Sequence, residues 1–417
     1  MTGPIGSWLR SAISNAGSEV GGEALALWAS RGEISTRVRA ERPQDGIDKI
    51  TPMTNASLPP LPGKTRIVDL FAGPGGLDVA ARWLGLEVTG VEWSDDACET
   101  RTAAHLDTQP GDVRDFSPSD DEFDGCNVLA GGPPCQTYTV AGAGAGRRAL
   151  DLVRTYVRRM ADGEDVRSGL AELDDDRTGL VLEPLRWVLE AVRAGNPYEA
   201  IILEQVPAVL PVWESYAEVL GEVGYNAEFG VLCAEQFGVP QTRRRAILIA
   251  RRDVRPRMPD PTHRRYRKNT EVPDNEATLL PWRSMADDLG TTYPFRVISN
   301  YGTGGDPKAR GVRSSAEPAA TVTGKISRNR VETCSGVRRF TMQEAGRLQT
   351  FPEDYPWRGR DIAQQIGNAI PPRLGVHILA AALGLTDRVN EEFFQSTVGG
   401  LWIGSEFAMS GELAAVR

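Results

Sequence analysis

The sequence lacks the features that carry a protein into a membrane or through one. Its 417 residues contain no apolar run that approaches the ~18–20 residues of a membrane-spanning helix. The N-terminus also lacks the basic region, apolar run and cleavage site of a secretory signal. We therefore expect a cytoplasmic protein that has no membrane as a partner.

Cysteine is scarce as well. The chain has five, Cys98, Cys126, Cys135, Cys233 and Cys334, and no two of them form a C-x-x-C pair. This argues against a zinc site or a redox disulfide, so we expect no metal and reduced thiols. One of the five thiols remains a candidate reactive group.

Positive charge is in deficit over the whole chain but not in one segment. The formal net charge is -9, which by itself disfavours a nucleic acid partner because phosphates are neutralised by Lys and Arg. Yet residues 241–268 contain eleven Lys or Arg against two Asp, and residues 251–337 carry a net charge of +6. A nucleic acid partner and an ordinary solvated face are both open interpretations of this segment.

Residues 1–62 differ from the rest of the chain. They are rich in Gly, Ser, Pro and Ala, contain one predicted helix over 11–29 and end in the proline-rich run 58–62. We interpret them as an N-terminal appendage, with disorder as one interpretation of its composition.

A β/α rhythm begins at Thr65 and defines the first domain, residues 63–250. Short apolar runs alternate there with helical stretches, which predicts an α/β fold with a Rossmann-like doubly wound parallel sheet. Two further runs flank a turn and predict a hairpin at the sheet edge. The predicted strands are 67–71, 88–92, 127–130 and 200–203, and the hairpin strands are 227–233 and 246–250.

The alternation of predicted strands and helices stops over residues 251–337, and apolar residues at helical spacing recur after them. The segment 251–337 is rich in Pro, Arg and Gly and predicts a smaller, irregular, strand-rich domain. Residues 338–386 contain apolar spacing typical of helices at 341–349 and 372–385, and the second helix is expected to pack back on the first domain. Residues 387–417 form a tail.

A glycine-rich turn follows the first predicted strand. In the stretch 67–76, Gly73 and Gly75 allow backbone N–H groups to approach a ligand at a helix start. Glu92 ends the next strand, where a carboxylate can hold a ribose hydroxyl. Trp93 and Asp112 are candidates for stacking on an adenine and accepting its amine, or else an exposed Trp and a capping Asp. The pattern favours a nucleotide-like cofactor over a merely structural turn.

A second loop, residues 131–136, follows the buried strand 127–130 and reads Gly-Gly-Pro-Pro-Cys-Gln. It lies at the carboxyl edge of the sheet, where ligands bind in such folds. Two prolines and two glycines present Cys135 outward, whereas most single cysteines are small core residues. Glu204 ends another buried strand at the same edge, and such a carboxylate is costly unless it is paired or used.

Taken in order, the motifs resemble those of the cytosine-C5 DNA methyltransferases over residues 65–385. They are Asp-Leu-Phe-Ala-Gly-x-Gly-Gly (69–76), Gly-Gly-Pro-Pro-Cys-Gln (131–136), Gln-x-Arg-x-Arg (241–245), Arg-x5-Glu-x-x-Arg-Leu-Gln-x-Phe-Pro (338–352) and Gln-Ile-Gly-Asn-Ala-Ile-Pro-Pro (365–372). Each motif alone is weak evidence. Five in family order indicate the family.

The resemblance implies a reaction and a set of residues. Carbon 5 of cytosine is a poor nucleophile, so a thiolate first adds to carbon 6 of a base flipped out of duplex DNA. It implies S-adenosylmethionine as the cofactor, 251–337 as the target-recognition domain, a monomer, and a cognate restriction endonuclease that acts separately. The implied catalytic residues are Cys135, Glu204, Arg243 and Arg245, and the implied cofactor-binding residues are Phe71, Gly73, Gly75, Glu92, Trp93, Asp112 and Asn368.

Three positions depart from the family pattern. Gln205 replaces the family's Asn, Thr139 replaces a Ser, and residues 153–173 include an insertion. A non-catalytic DNA-binding relative and a C5 transferase of altered donor specificity therefore remain alternatives. An RNA-cytosine enzyme of the same family lacks support because a full recognition segment is present. A nicotinamide-dependent dehydrogenase would explain neither the Pro-Pro-Cys loop nor the paired arginines.

Overall fold

The apolar runs of the first domain form a mixed, twisted sheet. The computed structural model describes residues 58–134, 143–170, 176–300, 311–397 and 401–402, and the predicted helix at 11–29 lies outside them. Within this part of the chain the sheet has seven strands: β1 (Arg66–Leu70), β2 (Glu87–Glu92), β3 (Thr108–Pro110), β4 (Val128–Gly131), β5 (Ala200–Gln205), β6 (Asn226–Cys233) and β7 (Arg244–Arg251).

The strand order is β3-β2-β1-β4-β5-β7-β6. The pairs from β3 to β5 are parallel, whereas β7 runs antiparallel to both β5 and β6. The chain therefore returns from the edge strand β6 and inserts β7 next to β5. This confirms the predicted α/β sheet and the hairpin at its edge.

Helices cover both faces of the sheet because each strand buries side chains on both sides. In the described ranges they are α1 (Gly76–Trp83), α2 (Asp95–Ala103), α3 (Ala143–Ala161), α4 (Arg167–Leu170), α5 (Glu183–Arg193), α6 (Leu210–Glu222), α7 (Met285–Leu289), α8 (Met342–Leu348), α9 (Ile362–Asn368), α10 (Pro372–Leu383) and α11 (Glu391–Thr397).

Two apolar clusters pack on opposite faces of the sheet. One joins α3, α5 and α6 to the sheet through side chains such as Trp187 and Trp213, and the other joins α1 and α10 to the opposite face. All twelve residues of α10 are buried. The helix predicted at 372–385 thus packs back on the first domain, as expected. Thr341 caps α8 through a reciprocal bond with Glu344, which gives that helix its start.

A second, antiparallel sheet occupies part of the segment 251–337. Its order is β11-β10-β8-β9, built from the short strands β8 (Arg296–Ile298), β9 (Val312–Ser314), β10 (Arg330–Thr333) and β11 (Gly336–Arg338). The longest helix described within 251–337 is the five-residue α7. The smaller strand-rich character expected for this segment is present.

The end of the predicted appendage packs against the sheet domain. The carbonyl of Pro59 accepts a hydrogen bond from Arg251 Nη1 at 2.9 Å, and Leu61 is buried in the α1 and α10 cluster. Residues 58–61 are therefore part of the packed structure. None of the described helices has the length and apolarity needed to cross a membrane.

Candidate active site

The glycine-rich turn after β1 has an unusual backbone. Phe71, Gly73 and Gly75 all have positive φ, at 63°, 57° and 99°. A Cβ on Gly75 would lie 2.2 Å from Leu106 Cδ1, whereas a Cβ on Gly73 would meet no atom within 4 Å. Positive φ is uncommon for a residue such as Phe71, and such a conformation persists only where the surroundings hold it. The turn is therefore a shaped loop, which we call the cofactor loop (residues 71–75).

Glu92 holds this loop from the neighbouring strand. Its carboxylate accepts hydrogen bonds from the backbone N–H of Gly73 and of Ser94, each at 2.7 Å. These two bonds join the cofactor loop to the end of β2. A carboxylate oxygen retains further acceptor capacity beyond these two bonds.

Trp93 and Asp112 lie beyond Glu92 on the chain. Trp93 is 69% exposed, an unusual state for so large an apolar ring. Asp112 caps a short 3-10 helix and binds Arg114 through the backbone N–H and an ion pair at 2.5 Å. The hydrogen bond to the Arg114 side chain lowers the pKa of Asp112. The capping interpretation of Asp112 is thus realised, and it leaves room for a further donor.

The loop after β4 approaches β5 closely. Gly132 donates its N–H to the carbonyl of Leu70 at 3.2 Å, and a Cβ on Gly132 would lie 3.5 Å from Glu204 Oε2. The carboxylate of Glu204 therefore lies against the residues that lead to Cys135. Cys135 itself, with residues up to 142, lies outside the described part of the chain, and so does Thr139.

Gln205 connects β5 to the same loop. Its Nε2 donates to the carbonyl of Pro133, and its Oε1 accepts from the backbone N–H of Val206. The side chain is buried. The side chain of Gln205 therefore contacts the loop two residues before Cys135, and it also bonds to the backbone of the next residue in its own strand. Loop and strand are joined at this point.

Glu204 and Arg245 form an ion pair at the carboxyl edge of the sheet. Glu204 Oε1 lies 2.5 Å from Arg245 Nε, an ionic contact rather than an aligned hydrogen bond. The antiparallel register pairs Gln205 with Ala246, which brings the start of β7 to the end of β5. The side chains are only 12% and 15% exposed. At such burial the two charges depend on each other, because an unpaired charge would be costly.

Similarity to known proteins identifies the family of the chain. Residues 65–161 and 169–383 match the family described as C-5 cytosine-specific DNA methylase. The chain belongs to this methylase family. The interruption at 162–168 falls inside the segment 153–173 in which an insertion was expected.

Curated relatives and a solved structure extend this result. The methylase is 27% identical over 376 residues to the type II methyltransferase M.Eco47II of Escherichia coli, covering 78% of this chain and 80% of that protein. It is 27% identical over 350 residues to M1.HphI of Haemophilus parahaemolyticus, covering 76% and 86%. The crystal structure of S. pombe Dnmt2 methyltransferase shares the fold, with a TM-score of 0.50, 16% identity, and coverage of 78% and 100%. The protein is an enzyme, a DNA (cytosine-5-)-methyltransferase.

Arg243 of the methylase contacts backbone rather than the cleft. It is 1% exposed and donates to the carbonyls of Val322, Gly367 and Ala369 at 2.9 to 3.0 Å. These carbonyls belong to the segment 251–337 and to the end of α9. Direct participation of Arg243 in catalysis, as expected from the motif, is not what this geometry indicates. The residue braces the segments around Arg245.

Asn368, expected to close the cofactor pocket, lies at the end of α9. It is exposed, and its Oδ1 accepts from Gln364 Nε2 at 2.7 Å. The backbone groups on either side of Asn368 are those that bind Arg243. Asn368 is thus anchored by its neighbours while its side chain faces outward.

The basic cluster 241–268 is divided between two edges of the sheet. Arg251 pairs with Ala200 at the start of β5, and six residue steps at ~3.3 Å each place it ~20 Å along β7 from Arg245. Arg251 is also buried, bonded to Pro59 and Ala382. At His263 the chain lies again near the end of β6, because the N–H of His263 donates to the carbonyl of Gln236. Arg251 therefore has a structural role at the far edge of the sheet, where Arg252 also lies.

Two supports of the cofactor loop are not among the site residues predicted from the sequence. Tyr355 is buried and donates its hydroxyl to the carbonyl of Pro74. Asp78 and Arg101 form a buried bidentate pair at 2.8 and 2.9 Å behind the same loop. Burial, with the nearby Asp78 carboxylate, raises the pKa of Asp69 well above its usual range. Tyr355 stands three residues after the end of the motif 338–352, and this position is the signal that could have identified it.

Proposed function

We propose that this methyltransferase modifies cytosine in duplex DNA with Cys135 as the nucleophile and S-adenosylmethionine as the methyl donor. The observation that carries the proposal is the meeting of three parts at one sheet edge. The first part is the cofactor loop, held by Glu92, and the second is the loop after β4, held at Pro133 by Gln205. The third is the Glu204–Arg245 ion pair. Each part alone has structural explanations, whereas their convergence fits a two-substrate site.

The residues around the cofactor loop fit S-adenosylmethionine. Backbone N–H groups at the start of α1 suit a carboxylate, Glu92 suits ribose hydroxyls, and the exposed ring of Trp93 suits an adenine face. Asp112 would accept the adenine amine while Arg114 holds it, and Asn368 would close the pocket. The open space beside Gly73 suits close approach of a ligand. When bound, S-adenosylmethionine supplies the electrophilic methyl group that carbon 5 accepts.

The protein's own residues perform the activation of the base. The thiolate of Cys135 adds to carbon 6, and the electron pair moves into the ring toward N3. Glu204 would hydrogen-bond or protonate N3, while Arg245 would hold the O2 edge and keep the Glu204 carboxylate in place. After carbon 5 gains its methyl group and loses its proton to a base, Cys135 leaves and the ring regains its aromatic character.

The recognition of DNA is assigned to the segment 251–337. The described part of this segment carries exposed cations, among them Arg265, Lys325 and Arg328. They would meet phosphates and base edges, while Arg243 and the residues it binds hold the segment against the catalytic strands. The curated relatives are named type II methyltransferases. We therefore propose a role in restriction and modification, with a separately acting endonuclease of the same specificity.

Transfer of a labelled methyl group from S-adenosylmethionine to duplex DNA tests the proposal. We expect incorporation by the wild-type protein, digestion of the product to 5-methylcytosine, and loss of incorporation in Glu204→Gln by at least about a hundredfold, ~2.7 kcal/mol in barrier. Asp253→Asn is the matched control, because Asp253 lies far from the carboxyl edge of the sheet, and this variant should methylate DNA at the wild-type rate. A wild-type protein that binds duplex DNA without methylating it would instead support the non-catalytic alternative, and a heavier C5 substituent would support an altered donor.

A further inference from the structure

A single tryptophan from the C-terminal tail is inserted into the protein interior. Trp402 is 9% exposed, whereas its neighbour Leu401 is 62% exposed. It lies beyond residue 383, where the match to the methylase family ends. Burying so large an aromatic ring stabilises the packing around it, because a large apolar area is removed from water. The tail thus makes a specific contact that the family pattern does not contain.

The contacts of Trp402 come from three separate elements. Its Nε1 donates to the carbonyl of Ala104, just after α2, at 3.2 Å, and its backbone N–H donates to Asp354 Oδ1 at 2.5 Å. The guanidinium of Arg82, in the last turn of α1, lies 4.7 Å above its ring. The ring packs edge to face with Tyr355, with centroids 5.4 Å apart. One side chain therefore ties α1, α2 and the loop 352–357 together.

Tyr355 carries this arrangement to the cofactor loop. Its hydroxyl donates to the carbonyl of Pro74, between Gly73 and Gly75. It also lies so close to Gly75 that a Cβ there would be 2.9 Å from the hydroxyl oxygen. Tyr355 is itself held by Phe351 and Trp357, with ring centroids 4.8 and 4.9 Å away. Trp402 completes this aromatic cluster behind the loop.

The cofactor loop needs such support. Its positive-φ residues include Phe71, and left-handed backbone is strained at a non-glycine residue because the Cβ crowds the carbonyl oxygen. A loop of this kind relaxes when the packing behind it is lost, and the relaxed form must be reordered before a ligand binds. The cost of reordering then appears as weaker binding.

We propose that Trp402 is a positioning residue for S-adenosylmethionine, acting through Tyr355 and Pro74 on the cofactor loop. The inference rests on the proposed function, because it concerns the cofactor assigned there. Trp402 touches no reacting group. Its loss should weaken binding of the cofactor and leave the chemical step at saturating cofactor unchanged.

The test combines calorimetric titration of S-adenosylmethionine into the protein alone with steady-state methylation of duplex DNA. We expect Trp402→Ala to raise Kd and KM for the cofactor about tenfold, ~1.4 kcal/mol. We expect kcat and the KM for DNA to stay within about twofold of wild type. Trp402→Phe keeps the ring packing but loses the bond to Ala104, so its effect should be about threefold.

The matched control is Phe394→Ala. Phe394 is a buried aromatic residue of the same C-terminal region, in α11, but it packs in the cluster of α1 and α10 beside His377. It should lower the melting temperature as Trp402→Ala does and leave the Kd for S-adenosylmethionine unchanged. A general loss of folded protein would lower kcat in both variants without changing either Kd.

Three results overturn the inference. The first is an unchanged Kd in a folded Trp402→Ala protein, and the second is an equal rise in Kd in Phe394→Ala. If Trp402→Ala does not fold, Tyr355→Phe decides: it removes only the hydroxyl on the Pro74 carbonyl, and we expect its Kd to rise about fivefold, so an unchanged Kd is the third. A wild-type protein that fails to bind S-adenosylmethionine would overturn the proposed cofactor site and this inference together.

Discussion

Replacement of Gln205 tests how the nucleophile loop is held. The side chain donates one hydrogen bond to Pro133 and accepts another from Val206, and both lie in a buried setting. Gln205→Met keeps the length and volume of the side chain but can make neither bond. Each lost bond costs about 0.5–1.5 kcal/mol, and more where a buried group is left unsatisfied. We expect the combined loss to displace the loop that carries Cys135.

The expected change in rate follows from that sum. A loss of ~1.4–2.7 kcal/mol in positioning corresponds to a ten- to hundredfold slower chemical step for Gln205→Met. Gln205→Asn is shorter by one methylene, about 1.5 Å. It can keep one of the two bonds if the loop shifts, so its rate should change by no more than about tenfold. The order of rates is therefore wild type, Asn variant, Met variant.

Single-turnover transfer of labelled methyl groups to duplex DNA, at saturating S-adenosylmethionine, measures this step. Tyr225→Phe is the control, because it removes a buried hydrogen bond of 2.8 Å to Tyr198 at the amino end of the sheet. It should lower stability without slowing transfer. A Met variant within twofold of wild type would refute the reasoning, and so would an equal slowing in Tyr225→Phe. The product nucleoside of every variant should be 5-methylcytosine by mass.

Four further predictions concern other parts of the chain. Cys135→Ser should abolish methyl transfer but retain duplex binding, and a 5-fluorocytosine duplex should trap wild-type protein at Cys135 alone; an adduct elsewhere would contradict the assignment. A chain that begins at Met53 keeps residues 58–61 and should methylate DNA at the wild-type rate, and a folded but inactive product would give residues 1–52 a role. Grafting residues 251–337 onto a relative should transfer the methylated sequence, as read by methylome sequencing, unless recognition resides elsewhere. Burial lowers the pKa of both His377 and His263 to about 3, so the unfolded chain binds these protons first, and each residue should lower the stability against urea by up to about 1.4 kcal/mol per pH unit as the pH falls below 6.5; His377→Phe should reduce the slope by the share of His377, and an unchanged slope would contradict the reasoning.

The parallel core of the fold could be predicted from local patterns. Runs such as 200–203 are apolar throughout because parallel strands are buried on both faces, and this makes them visible without any partner. The glycine-rich turn and the Pro-Pro-Cys loop carry their backbone requirements in their own residues. Glu92 and Glu204 were found because each ends such a strand. Their neighbours in space follow from the rule that parallel strands end at one edge.

Contacts between segments far apart in sequence could not be predicted in the same way. Arg243 and Arg245 stand two residues apart in one motif, yet one binds carbonyls of residues 322–369 and the other pairs with Glu204. The basic cluster 241–268 is continuous in sequence but is divided by the antiparallel strand β7. Such divisions depend on strand direction and register, which a list of charges does not contain.

The sequence by itself determined the family, the α/β sheet, the two site loops and the carboxylates that end β2 and β5. It did so because each of these rests on residues close together in the chain, where turn geometry and strand burial impose their own residue types. Only the tertiary structure decided that Arg243 is a brace, that Arg251 lies at the far edge, and that Trp402 and Tyr355 stand behind the cofactor loop. Those roles arise from packing between elements separated by up to about three hundred residues, as in the bond from Trp402 to Ala104.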